Sequence, residues 1–150
     1  MQALGLEWGD NQVHLAPAER LGEQALINQY WRLSPGQPWP RGGAVAVSCL
    51  PTQRAILRKF KVPFADPQKI AQIIYYESEH YIHSRPIEEL AVAYCTLERQ
   101  PEYSRLLVAA VPKEALRAHL QELEQKGVSP QVVTLDSLAL LYAAQCSGQL

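Results

Sequence analysis

The chain has 150 residues, 47% of them hydrophobic and 19% charged, the size of one ordinary domain with enough apolar side chains to bury a core without disulfides or metals. Its 14 basic and 15 acidic residues leave a net charge of -1, so no positive field draws in the phosphate backbone of nucleic acid. Cys49, Cys95 and Cys146 are far apart and form no CxxC pair, which argues against a disulfide framework and a zinc ribbon and suits small core residues in a reducing compartment.

Residues 4–16 read as two short extended runs around Gly9-Asp10-Asn11, residues that tolerate the left-handed backbone of a tight turn, and so predict a β-hairpin. Residues 20–33 carry apolar side chains at 26, 27, 30, 31 and 33, a spacing that predicts an amphipathic helix. Over 34–43, three prolines and three glycines break any regular element, which marks a loop and the expected subdomain boundary. Beyond it, 44–50 and 55–63 are β-rich apolar runs separated by Pro51, and two adjacent strands are expected. Asp66-Pro67 predicts an N-cap with proline in the first turn, opening a helix over 66–82 whose Ile70, Ile73, Ile74 and Tyr81 share a buried face.

Residues 89–97 and 103–111 predict an antiparallel pair of strands joined through Pro101-Glu102. Pro112 stops the second strand, and 113–126 predict a helix with Leu116, Leu120 and Leu123 on one side and Gly127 as its C-terminal cap. A strand over 128–136 and an apolar helix through Leu138, Leu141 and Tyr142 complete the series. Strands and helices mix throughout, which predicts an α/β or α+β sheet covered by helices. The first residues carry no basic stretch followed by an apolar run, and no apolar run approaches the roughly 20 residues of a membrane-spanning helix. The expectation is a cytoplasmic protein that serves a membrane machine only through a partner.

Candidate chemistry gathers in a few places. Glu7, Gly9, Asp10 and Asn11 form a hairpin whose backbone amides could face a phosphate, with Glu7 able to hold a magnesium-bound water; the plain alternative is a surface turn. Glu77, Glu79, His80 and His83 cluster near a helix end, and the two histidines share a face as metal ligands do. Local spacing fixes no third strong ligand, so a solvated helix end accounts for them and no metal is assigned. His14 and His119 read as surface residues and Ser48 as a strand residue without a nearby base, so no catalytic residue is assigned. Arg54, Arg58, Lys59 and Lys61 beside Phe60 and Phe64 make a basic, aromatic patch. It reads either as an edge strand protected by charge or as a groove that docks an extended peptide, with Arg54, Arg58, Phe60 and Phe64 as the contacts.

Several segments, in order, carry a family likeness. Leu4-Gly5-Leu6-Glu7-Trp8-Gly9 with Val13, Val45-Ala46-Val47-Ser48-Cys49-Leu50-Pro51, Tyr76-Glu77-Ser78-Glu79-His80-Tyr81-Ile82 with Pro86-Ile87-Glu88-Glu89, Leu107-Val108-Ala109-Ala110-Val111-Pro112-Lys113-Glu114, and Gly127-Val128 with 132–140 run through most of the chain. Together they resemble the type IV pilus assembly protein PilM and, more distantly, the cytoplasmic part of the type II secretion protein GspL. The resemblance implies an actin-like, ribonuclease H-like fold: a mixed sheet with covering helices, in which 1–43 belong to subdomain 1A, 44–127 form an inserted 1B-like unit and 128–150 return to the first. It implies a scaffold, not an enzyme, in a pilus or secretion-like inner-membrane assembly. That scaffold holds the N-terminal peptide of a PilN-like membrane protein, with a motor ATPase as a further partner; a third reading, from the apolar helix through Leu138, Leu141 and Tyr142, is a regulatory domain that pairs with a second copy of the chain.

Two departures bear on nucleotide. Where the family has Asp, Ser and often Lys in its first phosphate loop, this chain has Glu7, Asp10 and His14, and a carboxylate against phosphates repels them unless a metal intervenes. The chain also stops at Leu150, about where the half carrying the second phosphate loop would begin. No cofactor is therefore called for by this lobe alone, and ATP with Mg belongs to the alternative reading, an actin-like ATPase lobe completed by a second half.

Overall fold

The computed structural model describes residues 2–8, 13–21, 24–27, 31–33 and 45–146. Backbone contacts divide the chain into two units, 1–52 with 118–150, and 53–117. The second is an insertion in the first.

In the first unit, strand β1 (Gln2–Trp8) pairs antiparallel with β2 (Val13–Leu21), as the hairpin reading predicts; its turn lies outside the described residues. The far edge of β2 takes two short antiparallel partners, β3 (Gln24–Ile27) and β4 (Trp31–Leu33). On its other side β1 runs parallel to β5 (Val45–Leu50), and β5 parallel to β9 (Val132–Leu135), giving the order β3-β2-β1-β5-β9. A strand between two parallel neighbours is buried on both faces and reads as a continuous apolar run rather than an alternating one. This accounts for the continuous apolar run Val-Ala-Val-Ser-Cys-Leu in β5, where Ser48 and Leu50 on one face are each 2% exposed and Val45, Val47 and Cys49 on the other are partly buried.

Parallel strands need a return crossover, and helix α2 (Lys113–Gln125) supplies its last part. α2 ends as its sequence predicts. Gly127 takes φ 79°, its N–H reaches the Glu124 carbonyl at 2.8 Å, and the Val128 N–H reaches the Leu123 carbonyl at 2.9 Å. That pair of bonds is a Schellman cap, and both Leu123 and Val128 are buried. After β9, helix α3 (Asp136–Cys146) completes the unit, with Leu140 and Tyr142 exposed.

The second unit is a three-stranded antiparallel sheet, β6 (Ile56–Val62), β8 (Tyr103–Pro112) and β7 (Leu90–Gln100) in the order β6-β8-β7, with helix α1 (Pro67–Tyr81) on one face. Asp66 caps α1, its side chain accepting the Gln68 N–H at 2.9 Å, and Pro67 occupies the first turn, where its missing donor costs nothing. The core joins Ile70 and Ile74 of α1 to Phe60, Val62, Leu106 and Val108 of the sheet; burying each such side chain contributes about 1.5–3 kcal/mol. A second cluster gathers Ile82, Ile87, Leu90 and Ala110. Ser78 also lies on the buried face, its hydroxyl donating to the Ile74 carbonyl at 2.5 Å.

Three expectations need correction. The described residues of 20–33 are strands, not a helix: β2 extends to Leu21, and β3 and β4 hydrogen-bond to it. Apolar residues at 26, 27, 31 and 33 also fit two short strands, since Trp31-Arg32-Leu33 alternates and Arg32 is exposed, so pairing with a long neighbour overrides the helical spacing. Strands β5 and β6 lie in different sheets, and β5, read above with the inserted unit, is bonded to β1 and β9 of the first. Tyr81 is 49% exposed, because the chain breaks from the helix there and Ile82 takes the inward position; its ring stacks on Phe60 with centroids 4.4 Å apart.

Candidate functional site

Because β1, β5 and β9 are mutually parallel, their carboxyl ends lie along one edge of the first unit's sheet, where ligands bind in open α/β sheets. Of the hairpin candidates, Glu7 sits near the end of β1 with its backbone opposite His14. Gly9, Asp10 and Asn11 lie outside the described residues.

At the ends of β5 and β9 the structure assembles a polar cluster. Asp136 Oδ1 accepts from the Thr52 amide at 3.0 Å, from the Thr52 hydroxyl, and from the Ser137 amide at 2.6 Å, while the Thr52 and Ser137 hydroxyls are 2.6 Å apart. The Thr52 hydroxyl bond, helped by the Ser137 and Thr52 amides and opposed by partial burial, holds the Asp136 carboxyl below the ordinary aspartate value. One oxygen of this carboxylate is thus fully engaged by the protein, and its negative charge stands at the ends of these strands. Such a charge suits a hydrated cation or a neutral polar group better than bare phosphate. The sequence does carry a signal for the cluster: Thr-Leu-Asp-Ser places short polar side chains where β9 turns into α3. Thr52 is 84 residues away in sequence, and only the β5–β9 pairing brings it in.

Ser48 does have an imidazole beside it, against expectation. His119 Nε2, on a partly buried position of α2, lies 3.0 Å from Ser48 Oγ. The pair links residues 71 apart, which no local spacing reveals. Ser48 is 2% exposed, so a substrate carbonyl has no approach to its hydroxyl, and the contact satisfies a buried polar group in the strand.

The basic patch divides. Arg54 and Arg58 are exposed, the Arg58 guanidinium donating to the Leu57 carbonyl at 2.9 Å. Phe60, by contrast, is 4% exposed and belongs to the core that holds α1 on the sheet, while Phe64 is partly buried and packs against that core. β6 is an edge strand, and among the described residues no strand pairs with its outer side. His80 and His83 are both exposed, and among the described residues no three His, Cys, Asp or Glu side chains come together as a metal site.

A further cluster stands on the β7–β8 hairpin. Tyr103 donates its hydroxyl to Glu98 at 2.8 Å, Arg105 pairs with Glu98 at 3.3 Å, and Lys61 lies 4.1 Å above the Tyr103 ring. The Tyr103 bond, with Gln100, Arg105 and Lys61 behind it, keeps the Glu98 carboxyl below its usual value and in turn raises the Tyr103 phenol. Counting pairs outward from the Pro101-Glu102 turn would have found it, since Gln100, Arg99 and Glu98 fall opposite Tyr103, Ser104 and Arg105.

No protein-family model matches the chain, and no curated protein matches it. Among solved structures, it is similar to a chain of the PilM-PilN type IV pilus biogenesis complex, with a TM-score of 0.71 and 24% identity over 95% of this chain and 49% of that one. It is also similar to the cytoplasmic domain of EpsL, an inner-membrane component of the type II secretion system of Vibrio cholerae, with a TM-score of 0.58 and 18% identity over 93% of this chain and 59% of that one. The chain thus spans about half the length of the first of these structures. Among the described residues no helix is long and apolar enough to cross a membrane. The sheet order and these two likenesses together establish an α+β, actin-like fold, that of the PilM- and GspL-like proteins.

Proposed function

We propose that the chain is a cytoplasmic scaffold of a type IV pilus or type II secretion-like inner-membrane assembly, which holds the cytoplasmic tail of a PilN-like membrane protein and performs no catalysis of its own. The observation that carries this reading is the fold shared over 95% of the chain with a protein solved in complex with PilN. Charges at and just before β6 support it: Arg54 and Arg58 stand exposed beside an edge whose outer backbone groups can take an extended segment as an added strand. The burial of Ser48 keeps its pairing with His119 out of reach of a substrate. In this role the protein sits at the membrane only through its partner, and a motor ATPase or a second copy of the chain would bind elsewhere on it.

The test is calorimetric titration of the chain with a synthetic N-terminal peptide from a candidate PilN-like protein, beside a titration with ATP and magnesium. Saturable peptide binding, weakened about fivefold or more by Arg54→Glu with Arg58→Glu, is expected. Absence of peptide binding together with tight nucleotide binding would replace this reading with that of an actin-like ATPase lobe.

A further inference from the structure

The three-stranded sheet of the second unit has a second face, opposite α1. Strand alternation and the observed register place Lys59 and Lys61 of β6, Arg105 and Leu107 of β8, and Ala93 of β7 on it. β7 carries a bulge between Thr96 and Glu98, so two of its residues stand opposite Arg105. The extra residue, Leu97, is consequently pushed out on this same side and remains 50% exposed. Lys59, Lys61, Arg105 and Ala93 are exposed as well, and Leu107 is half-buried.

Charge and shape on this face are asymmetric. Three cations share it with one carboxylate, Glu98, which is already engaged by Tyr103 and Arg105. Lys59 has no acidic partner among the described residues, and Lys61 is held against the Tyr103 ring rather than by an acid. Beside the cations, Leu107 and Leu97, with the small Ala93 one row further along the sheet, make an apolar strip. Backbone groups in the middle of a sheet face are spent on the ladder, so whatever lies on it must satisfy its own backbone. A helix does so, and helix on sheet is the packing that completes such a layer.

We propose that this face is a docking surface for an acidic amphipathic helix of a partner protein, whose Leu-type stripe covers Leu97 and Leu107 and whose flanking Glu or Asp side chains meet Lys59, Lys61 and Arg105. The proposal goes beyond tail binding at the β6 edge and stands without it, because it uses the face of the sheet rather than its edge.

The experiment is an amide-resolved NMR titration of the full chain with two synthetic helical peptides of about 18 residues, five turns. Both carry the same leucine stripe, one flanked by Glu and the other by Lys. The Glu peptide is expected to shift the amides of Lys59, Lys61, Leu97 and Arg105 and to bind about tenfold more tightly than the Lys peptide. Lys59→Glu with Lys61→Glu should reverse that preference, and Ala93→Gln, which adds bulk to the strip without changing the charge, should weaken the Glu peptide. Equal affinity for the two peptides, shifts confined to other surfaces, or no shift up to millimolar peptide would overturn the proposal. Concentration-dependent shifts of these amides without peptide would also overturn it, since a second copy of the chain would then be the occupant.

Discussion

Replacing Asp136 by alanine tests whether the polar cluster at the ends of β5 and β9 holds the first unit together. The change removes an acceptor that serves two backbone amides and one hydroxyl. A lost acceptor at a helix start costs about 1 kcal/mol, and the charge-assisted bond to Thr52 about 1 more; the cluster is only partly buried, so water recovers some of each. The expected loss is about 2 kcal/mol for Asp136→Ala and about 1 for Asp136→Asn, which keeps an oxygen but not the charge. Urea unfolding followed by tryptophan fluorescence isolates the relevant unit, because Trp8, Trp31 and Trp39 all belong to 1–52 and none falls in 53–117. The pH dependence adds a sign. Asp136 titrates lower in the folded chain, so its contribution is fully present above the ordinary aspartate value of about 3.9 and is lost as pH falls through the lower folded value. A variant within about 0.3 kcal/mol of the parent at pH 7, or a deficit undiminished at about pH 2, would refute the assignment.

Further predictions follow from single positions. Gly127→Ala forces a β-carbon onto a φ of 79° and should cost about 1 kcal/mol in the same assay, although nothing crowds the site. Ser104→Ala should be neutral or stabilising by up to about 1 kcal/mol in urea unfolding followed by circular dichroism, because the buried Ser104 hydroxyl has no hydrogen-bond partner among the described residues. Tyr103→Phe removes the strongest of the bonds that depress Glu98, so the Glu98 carboxyl should titrate at higher pH by NMR; an unchanged midpoint would mean Arg105 and Lys61 hold it instead.

Legibility in the sequence followed the range of the interaction. α1 and α2 were readable because their ends are written locally, in Asp66-Pro67 and in Gly127, and the β7–β8 hairpin because its turn fixes the register. Residues 20–33 were misread since helical spacing and two short strands share the same apolar positions, and only the neighbouring β2 decides between them. The grouping of β5 with β1 and β9 depends on parallel pairing across the whole insertion, which composition cannot encode. The same holds for Ser48 with His119 and for Thr52 with Asp136. Phe60 was placed in the right strand but on the wrong side of it; beside three basic residues its sequence context suggests surface, while the alternation with Val62 points inward.

The two long-range contacts of the first unit share a geometry with a practical consequence. The chain leaves that unit after Thr52 and rejoins it at Ala118, and the bonds Thr52–Asp136 and Ser48–His119 pin the departing and returning segments of the host to each other. Closing a flexible loop costs free energy only in proportion to the logarithm of its length, about 0.6 kcal/mol per doubling. The host sheet is therefore nearly indifferent to how much polypeptide is carried between these anchors. Helix α2 crosses the return boundary at Ala118, so the unit is continuous with its host there, and loop-length changes in residues 53–112 are the ones the host should bear at little cost.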